Sequence, residues 1–308
     1  MNIVFFGSSQ FAVQSLEALV KAGHTISLVV TRPDKPKGRR LFIHPTEVAL
    51  KAKALGLAIF QPDNPNTPEA LEWLKKTPAD LYVVASYGHI LNQDILNLPR
   101  LMALNIHASL LPKYRGAAPI HWAIIKGEKE TGISIIKMIP RMDAGDILLE
   151  KKINIENTDT AQSLSEKLEA LASEAILEAV KLLEDKQLTF IKQDETQVTY
   201  APKLQKEHCL INWNNDATTI AHQIRGLSPS PAAYTYRKGK MIKIFAAKAL
   251  DYLETKPAIV LAVSKKIILI GCKEGAVELF ELQMENGKRM SVEAFSCGYK
   301  IHPGEQWG

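Results

Sequence analysis

An asparagine and a histidine two positions apart, Asn105 and His107, end an apolar run and carry the clearest chemistry in this 308-residue chain. Side chains at i and i+2 of an extended segment point the same way. An amide can donate to a developing oxyanion, and an imidazole can handle a proton, so the pair suits acyl transfer. Asp143, on a later glycine-containing loop, adds a carboxylate. We predict a catalytic triad of these three residues, with the nearby Asp146 expected to cap the turn instead.

The residues after His107 predict a rigid setting for that pair. Leu110-Leu111-Pro112 indicates a fixed turn, and residues 115–119, Arg-Gly-Ala-Ala-Pro, indicate the small-residue start of a helix. Proline restricts the backbone, and small residues let a ligand approach it closely. The triad is therefore expected beside a surface open to a ligand.

The first half of the chain alternates between strand and helix patterns. Strands are predicted at residues 2–6, 26–30, 81–85 and 101–105, and helices from Phe11 to Val20 and at residues 46–55 and 68–76. This order predicts a Rossmann-like, mostly parallel sheet with helices on both faces. Ligands of such sheets bind beyond the carboxyl ends of the strands, where Gly7, Tyr87-Gly88 and the Asn105–His107 pair all fall.

Two further strands, at residues 131–138 and 147–153, are expected to flank the Asp143 loop, and a long helix at residues 161–183 to follow. Residues 1–187 would then form the catalytic domain, and the polar residues 188–206 a linker. Residues 207–308 contain a helix at 217–225 and five short strands between residues 233 and 283, which predict a small β-barrel.

Composition places few limits on function. Hydrophobic residues make up 46% of the chain and charged residues 23%, as in ordinary globular proteins, and the net charge of +5 permits a nucleic-acid partner without requiring one. The longest apolar runs are far below the roughly 20 residues that cross a bilayer, so we expect a cytoplasmic protein. Cys209, Cys272 and Cys297 lack the spacing of a metal or redox site, and no metal is expected.

One long stretch resembles the signature of the enzymes that move a formyl group from or onto 10-formyltetrahydrofolate. It reads Asn105-Ile106-His107-Ala108-Ser109-Leu110-Leu111-Pro112-Lys113-Tyr114-Arg115-Gly116-Ala117-Ala118-Pro119, followed by Asp143-Ala144-Gly145-Asp146. Over its whole length the chain resembles the methionyl-tRNA formyltransferase family. Residues 225–233, Arg-Gly-Leu-Ser-Pro-Ser-Pro-Ala-Ala, are similar to the segment that opens that family's second domain.

The resemblance implies a reaction, a co-substrate and a pocket. The formyl group of 10-formyltetrahydrofolate would pass to the α-amine of initiator methionyl-tRNA, and the second domain would be oligonucleotide-binding-like (OB-like) and bind tRNA. The folate would be held largely through backbone groups of two segments that comprise Tyr87, Gly88, His89, Ile90, Leu91, Ser109, Leu110, Leu111 and Pro112. A monomer is the default expectation.

The basic segment between residues 31 and 40 allows two interpretations. A solvated charged loop is one, but the segment exceeds the usual two to six residues of a strand-to-helix connection, and long ordered loops are often functional. The resemblance implies that it inserts against the tRNA acceptor stem. The candidate tRNA contacts are Arg32, Lys35, Lys37, Arg39, Arg40, Arg237, Lys238 and Lys240.

Several alternatives stay open at this stage. The same triad could formylate an amino sugar on a nucleotide, could hydrolyse formyl-folate, or could be the remnant in a non-enzymatic RNA-binding protein. Formylation of glycinamide ribonucleotide is disfavoured by the second domain of about 100 residues. Ser8 and Ser9, at the first strand-to-helix turn, could bind substrate or could equally pack or cap the turn. The turn lacks the G-x-G-x-x-G pattern of a nucleotide cofactor site.

Overall fold

The computed structural model describes residues 1–37, 42–253 and 256–308. They form two compact units. The first comprises Met1–Pro119, Glu130–Ile153 and Ser165–Pro202, and the second comprises Ile120–Lys129, Asn154–Leu164 and Lys203–Gly308.

The first part of the chain alternates between strands and helices up to one long helix. In chain order its elements are β1 (Asn2–Gly7), α1 (Val13–Lys21), β2 (Thr25–Val30), β3 (Lys35–Lys37), β4 (Phe42–His44), α2 (Glu47–Ala54), β5 (Ile59–Phe60), α3 (Pro68–Lys75), β6 (Leu81–Ala85), α4 (Gln93–Leu96), β7 (Met102–His107), α5 (Pro119–Ile125), β8 (Glu130–Lys137), β9 (Ile147–Asn154) and α6 (Ala161–Glu184).

Seven of these strands form one sheet in the order β5-β2-β1-β6-β7-β8-β9. The first five run parallel, and β8 runs antiparallel to β7. The central strands β1 and β6 are apolar along nearly their whole length and buried, as expected of strands that are covered on both faces. Phe6, Tyr82 and Tyr87 pack together in the core on one side of this sheet. The predicted mostly parallel Rossmann-like sheet is confirmed.

Local signals explain where several helices begin. Thr46 precedes α2 and Thr67 precedes α3, and each side chain accepts a hydrogen bond from a backbone N–H one turn along. Pro68 occupies the first turn of α3, where its missing N–H costs nothing. These helices begin within one residue of the predicted positions.

The last part of the chain is mainly antiparallel. Its elements are α7 (Lys206–Cys209), α8 (Ala217–Leu227), β10 (Ala233–Arg237), β11 (Lys240–Leu250), β12 (Val260–Val263), β13 (Ile268–Gly271), β14 (Ala276–Met284), β15 (Met290–Ser291) and α9 (Val292–Gly298). The strand order is β10-β11-β14-β13-β12, with β15 paired to β14. Trp213, Phe295 and Trp307 lie in its core. The predicted β-rich second domain is therefore present as an antiparallel sheet, and its described residues contain six strands where five were expected.

Candidate active site

The end of β7 brings Asn105 and His107 to one place, together with Asp143. The amide nitrogen Nδ2 of Asn105 donates to Oδ1 of Asp143 at 3.3 Å, and Nδ1 of His107 lies 3.6 Å from the same oxygen. His107 is buried, and Asn105 is partly exposed. An amide donor and an imidazole nitrogen thus face the same carboxylate oxygen. The three residues proposed as a triad lie together.

The other side of the imidazole is also engaged. Nε2 of His107 donates to the backbone oxygen of Tyr114 at 3.0 Å. Tyr114 has a positive φ of 62°, and its own N–H donates to Oγ1 of Thr199 at 2.9 Å. An oxygen atom thus faces each ring nitrogen, and the two contacts fix the orientation of the imidazole.

Asp143 is held in an uncommon backbone conformation, with φ of 50°. Its Oδ2 accepts from the backbone N–H of Gly116 at 2.9 Å. Gly116 has φ of 127°, and a Cβ there would lie only 2.7 Å from the backbone oxygen of Ala201. The glycine of the Arg-Gly-Ala-Ala-Pro segment is therefore required for the close approach that places its N–H on the carboxylate.

Sequence reasoning missed a buried polar group behind this site. Gln193 and Glu195 lie in the polar stretch that sequence patterns indicated as a linker, and both accept hydrogen bonds from the guanidinium of Arg115. This ion pair lowers the pKa of Glu195 below its ordinary value, chiefly through the hydrogen bond from Arg115. Gln193 in turn donates to backbone oxygens of the Asp143 loop. A buried arginine requires hydrogen-bond acceptors. The sequence does not show which residues supply them for Arg115.

The first candidate folate segment is anchored at both ends. Tyr87 and Leu91 are buried in the core, whereas Gly88 and Ile90 are exposed, Ile90 at 56%. Gly88 has φ of 88°. The backbone oxygen of Ile90 accepts from Nδ2 of Asn66 at 2.8 Å, which helps to fix this exposed segment.

Arg32, predicted from the sequence as a tRNA contact, lies beside this candidate folate segment. A Cβ at Gly88 would be 3.5 Å from the Arg32 guanidinium. The pKa of His89 is lowered by burial and by the positive charges of Arg32 and Lys35. Arg32 therefore lies near Gly88 and His89, and its contact with tRNA stays a prediction.

The second candidate folate segment, residues 109–112, is tied to β8. Oγ of Ser134 donates to the backbone oxygen of Ser109 at 2.8 Å and accepts from the N–H of Leu111 at 3.0 Å. Leu111 packs with Ile136 and Ile147, and its peptide bond to Pro112 is cis. Leu110 is half-buried.

Ser8 and Ser9 differ in their surroundings. Ser8 is buried, and its hydroxyl donates to the backbone oxygen of Tyr87 and accepts from the N–H of Arg32, both at 3.2 Å. It therefore fastens together the turns that follow β1, β2 and β6. Ser9 is partly exposed, and its hydroxyl donates to that of Ser86 at 2.8 Å.

The basic segment is partly described. Lys35–Lys37 and Phe42–His44 pair as the antiparallel strands β3 and β4, rather than forming an irregular loop. Arg39 and Arg40, both predicted tRNA contacts, lie outside the described residues. Lys35 is exposed.

Arg237, predicted as a tRNA contact, is an internal residue. It is only 8% exposed, its guanidinium pairs with the carboxylate of Glu305, and its Nη2 donates to the backbone oxygen of Lys300 at 2.6 Å. These acceptors use the donors that a phosphate would need. Lys238 and Lys240, at the turn between β10 and β11, are exposed. Arg237 is therefore engaged within the protein, and its contact with tRNA stays a prediction.

Within residues 1–37, 42–253 and 256–308, no helix is both long and apolar enough to cross a membrane. In that same portion of the chain, no group of three or more His, Cys, Asp or Glu residues is arranged to hold a metal ion.

Sequence comparison decides the family. The family described as formyl transferase matches residues 1–180, and the formyl transferase C-terminal domain matches residues 203–300. The chain belongs to the formyl transferase family. Curated formyl transferases resemble it from end to end. The methionyl-tRNA formyltransferase of Caldanaerobacter subterraneus subsp. tengcongensis is 42% identical over 99% of both chains, and that of Acetivibrio thermocellus is 41% identical over 100% of both.

Solved structures show the same fold. HypX from Aquifex aeolicus in complex with tetrahydrofolic acid superposes with a TM-score of 0.67 and 20% identity, covering 97% of this chain and 47% of HypX. This formyl transferase chain thus spans about half the length of HypX. WlaRD, a sugar 3N-formyl transferase, superposes with a TM-score of 0.67 and 18% identity, covering 94% and 99% of the two chains.

Proposed function

We propose that this formyl transferase moves the formyl group of 10-formyltetrahydrofolate to the free α-amine of initiator methionyl-tRNA. The observation that carries the proposal is the identity of 37–42% along nearly the full length of curated methionyl-tRNA formyltransferases. The clustering of Asn105, His107 and Asp143 supports it, because the site contains the donors and the carboxylate that formyl transfer needs.

Asn105 and His107 stabilise the tetrahedral intermediate in this mechanism. The unprotonated amine attacks the formyl carbon, and the carbonyl oxygen becomes an oxyanion. The amide of Asn105 and an N–H of His107 donate hydrogen bonds to this oxyanion. In the structure both groups face Oδ1 of Asp143. Loss of one such donor typically lowers the rate by about 100-fold or more.

Asp143 supports the proton transfers. Its carboxylate lies 3.6 Å from Nδ1 of His107 and orients the imidazole. It also assists a water molecule that carries the proton from the attacking amine to the departing N10 of the folate. The reaction requires neither a covalent intermediate nor a metal.

Two segments hold the folate, and the basic residues hold the tRNA. Residues 87–91 and 109–112 bind the pterin by backbone groups and close packing. Arg39, Arg40, Lys35 and Lys37 contact the acceptor stem. Residues 207–308, through Lys238 and Lys240, provide a tRNA-binding domain, in which Arg237 supports the β10–β11 turn. We propose that the enzyme acts in the cytoplasm, where aminoacylated tRNA is available. We also propose that it is a monomer.

A sugar acceptor is the second candidate, because WlaRD shares the fold and is a sugar formyl transferase. The experiment is transfer of labelled formyl from 10-formyltetrahydrofolate to methionyl initiator tRNA, methionyl elongator tRNA or an amino-sugar nucleotide. We expect strong labelling of the initiator tRNA, lost in His107→Ala while folate binding persists. Labelling of the sugar alone, or of no acceptor, would refute the proposed substrate.

A further inference from the structure

Gln193 is a buried side chain that joins two parts of the candidate active site. It is 6% exposed. Its Nε2 donates to the backbone oxygens of Asp143 at 2.9 Å and Gly145 at 2.7 Å. Its Oε1 accepts from Nε and Nη2 of Arg115 at 3.0 and 2.7 Å. Both donors and both acceptor positions of the amide are used, so its orientation is fixed.

Arg115 is placed to orient that amide, because two of its guanidinium nitrogens donate to it. It is 1% exposed, and its other guanidinium hydrogen bonds go to the carboxylate of Glu195. A buried guanidinium without acceptors would be costly, so Gln193 and Glu195 together hold it in one position. Because its fork is planar and rigid, the two bonds to Oε1 set the direction of the Gln193 amide.

The contacts form a closed circuit through Asp143. Gln193 holds the backbone oxygen of Asp143, Arg115 holds Gln193, and the N–H of Gly116, the next residue along, donates to Oδ2 of Asp143. The left-handed φ of Asp143 is unfavourable for a residue with a side chain and persists only where the surroundings enforce it. The circuit supplies that enforcement from both the backbone and the carboxylate.

We infer that Gln193, oriented by Arg115, is a positioning residue that fixes the Asp143 carboxylate beside His107 and Asn105. This inference rests on the proposed function. It extends the active site into residues 181–202, which fall between the two family matches.

The test replaces Gln193 by a residue of the same shape. Gln193→Glu keeps an oxygen for Arg115 but turns the donor to Asp143 and Gly145 into an acceptor. Gln197→Glu is the matched control, because it makes the same substitution and charge change four residues later at an exposed position. We expect Gln193→Glu to lower kcat by about 100-fold, the order associated with small misplacement of a catalytic group. The KM for each substrate should stay within about twofold, and Gln197→Glu should behave as wild type.

A second comparison shows whether the effect acts through Asp143. In an Asp143→Asn background, adding Gln193→Glu should lower kcat by less than about twofold, because the group being positioned is already lost. Arg115→Lys, which keeps the charge but not the fork, should also lower kcat with unchanged KM.

Three results would overturn the inference. These are wild-type kcat in Gln193→Glu, full additivity with Asp143→Asn, or a fall in kcat that is fully accounted for by the fraction of Gln193→Glu protein that is unfolded at the assay temperature. Wild-type protein that formylates none of the tested acceptors would instead defeat the proposed function, so the two failures are distinguishable.

Discussion

Two arginine-bearing segments of the first unit differ in how their side chains are engaged. Arg115 is almost completely buried, and its guanidinium is bonded to Gln193 and Glu195. Arg32 is exposed, its backbone N–H is held by Ser8, and its guanidinium lies beside Gly88 at the candidate folate segment.

The difference shows how burial assigns a role to one residue type. An arginine with internal acceptors fixes the backbone around it, as Arg115 does for the Asp143 loop. An exposed arginine that is anchored by its backbone presents its charge to whatever enters the site. Arg237 is like Arg115, because it is buried and its guanidinium is paired with an internal carboxylate, that of Glu305. Its neighbours in the sequence nevertheless resemble a basic surface turn.

The largest effect on catalysis is expected at Asn105, in the candidate active site that Arg115 and Gln193 support. Asn105→Ala removes the amide donor that converges with His107 on one oxygen position. We expect kcat to fall by at least about 100-fold, with folate affinity retained. Formyl transfer and folate titration measure the two effects. Asn97→Ala, on an exposed helix end of the same unit, is the control, and equal loss in both variants would contradict the assignment.

A matched pair of substitutions tests whether the buried Arg115 contributes more to the free energy of unfolding than the exposed Arg32. Arg115→Met leaves Oε1 of the buried Gln193 without its two donors, which should lower the free energy of unfolding by about 1–3 kcal/mol. Arg32→Met alters an exposed side chain and should change it by less than about 0.5 kcal/mol. Urea unfolding measures both, and equal destabilisation would remove the distinction between the two segments.

Much of the first unit could be predicted because its signals are local. Apolar runs such as Leu81–Ala85 and cap residues such as Thr67 act within a few positions, so strand and helix limits followed from them. The grouping of Asn105, His107 and Asp143 followed from strand geometry and from family resemblance together.

The remainder depends on partners that are distant in sequence. Gln193 meets Asp143 across 50 positions and Arg115 across 78, and Arg237 meets Glu305 across 68. Polarity alone marked residues 188–206 as a linker and Arg237 as a surface charge, because neither pattern shows which acceptor lies opposite. The pairing of β3 with β4 was hidden in the same way by prolines and charges.

The basic segment should affect one substrate more than the other. Arg39→Ala removes a predicted phosphate contact, so the KM for tRNA should rise and the log–log salt dependence of tRNA binding should decrease by about one. Folate binding should hardly change. Arg100→Ala, which removes the same charge from a residue paired with Asp80, is the control. Equal weakening of folate and tRNA binding by Arg39→Ala would contradict the prediction.

The smallest expected effect concerns His121, whose partly buried imidazole should make the stability of the protein depend on pH. Burial lowers the pKa of His121 below its ordinary value of 6.5, despite the hydrogen bond from Nδ1 to the backbone oxygen of Gly226 at 2.8 Å. The unfolded chain therefore binds a proton more readily than the folded chain does. The stability from neutral His121 is fully present above about pH 6.5 and is lost as the pH falls toward the lower pKa of the folded state.

His121→Asn keeps a donor for Gly226 but cannot titrate. Urea unfolding at pH 7.5, 6.5 and 5.5 should therefore show a pH slope smaller than that of wild type by up to about one proton. His24, His89 and His222 also have pKa values lowered mainly by burial, so a reduced slope should remain. An unchanged slope in His121→Asn would mean that protonation at this position does not distinguish the folded from the unfolded chain, and that the packing of α5 against Gly226 tolerates the charge.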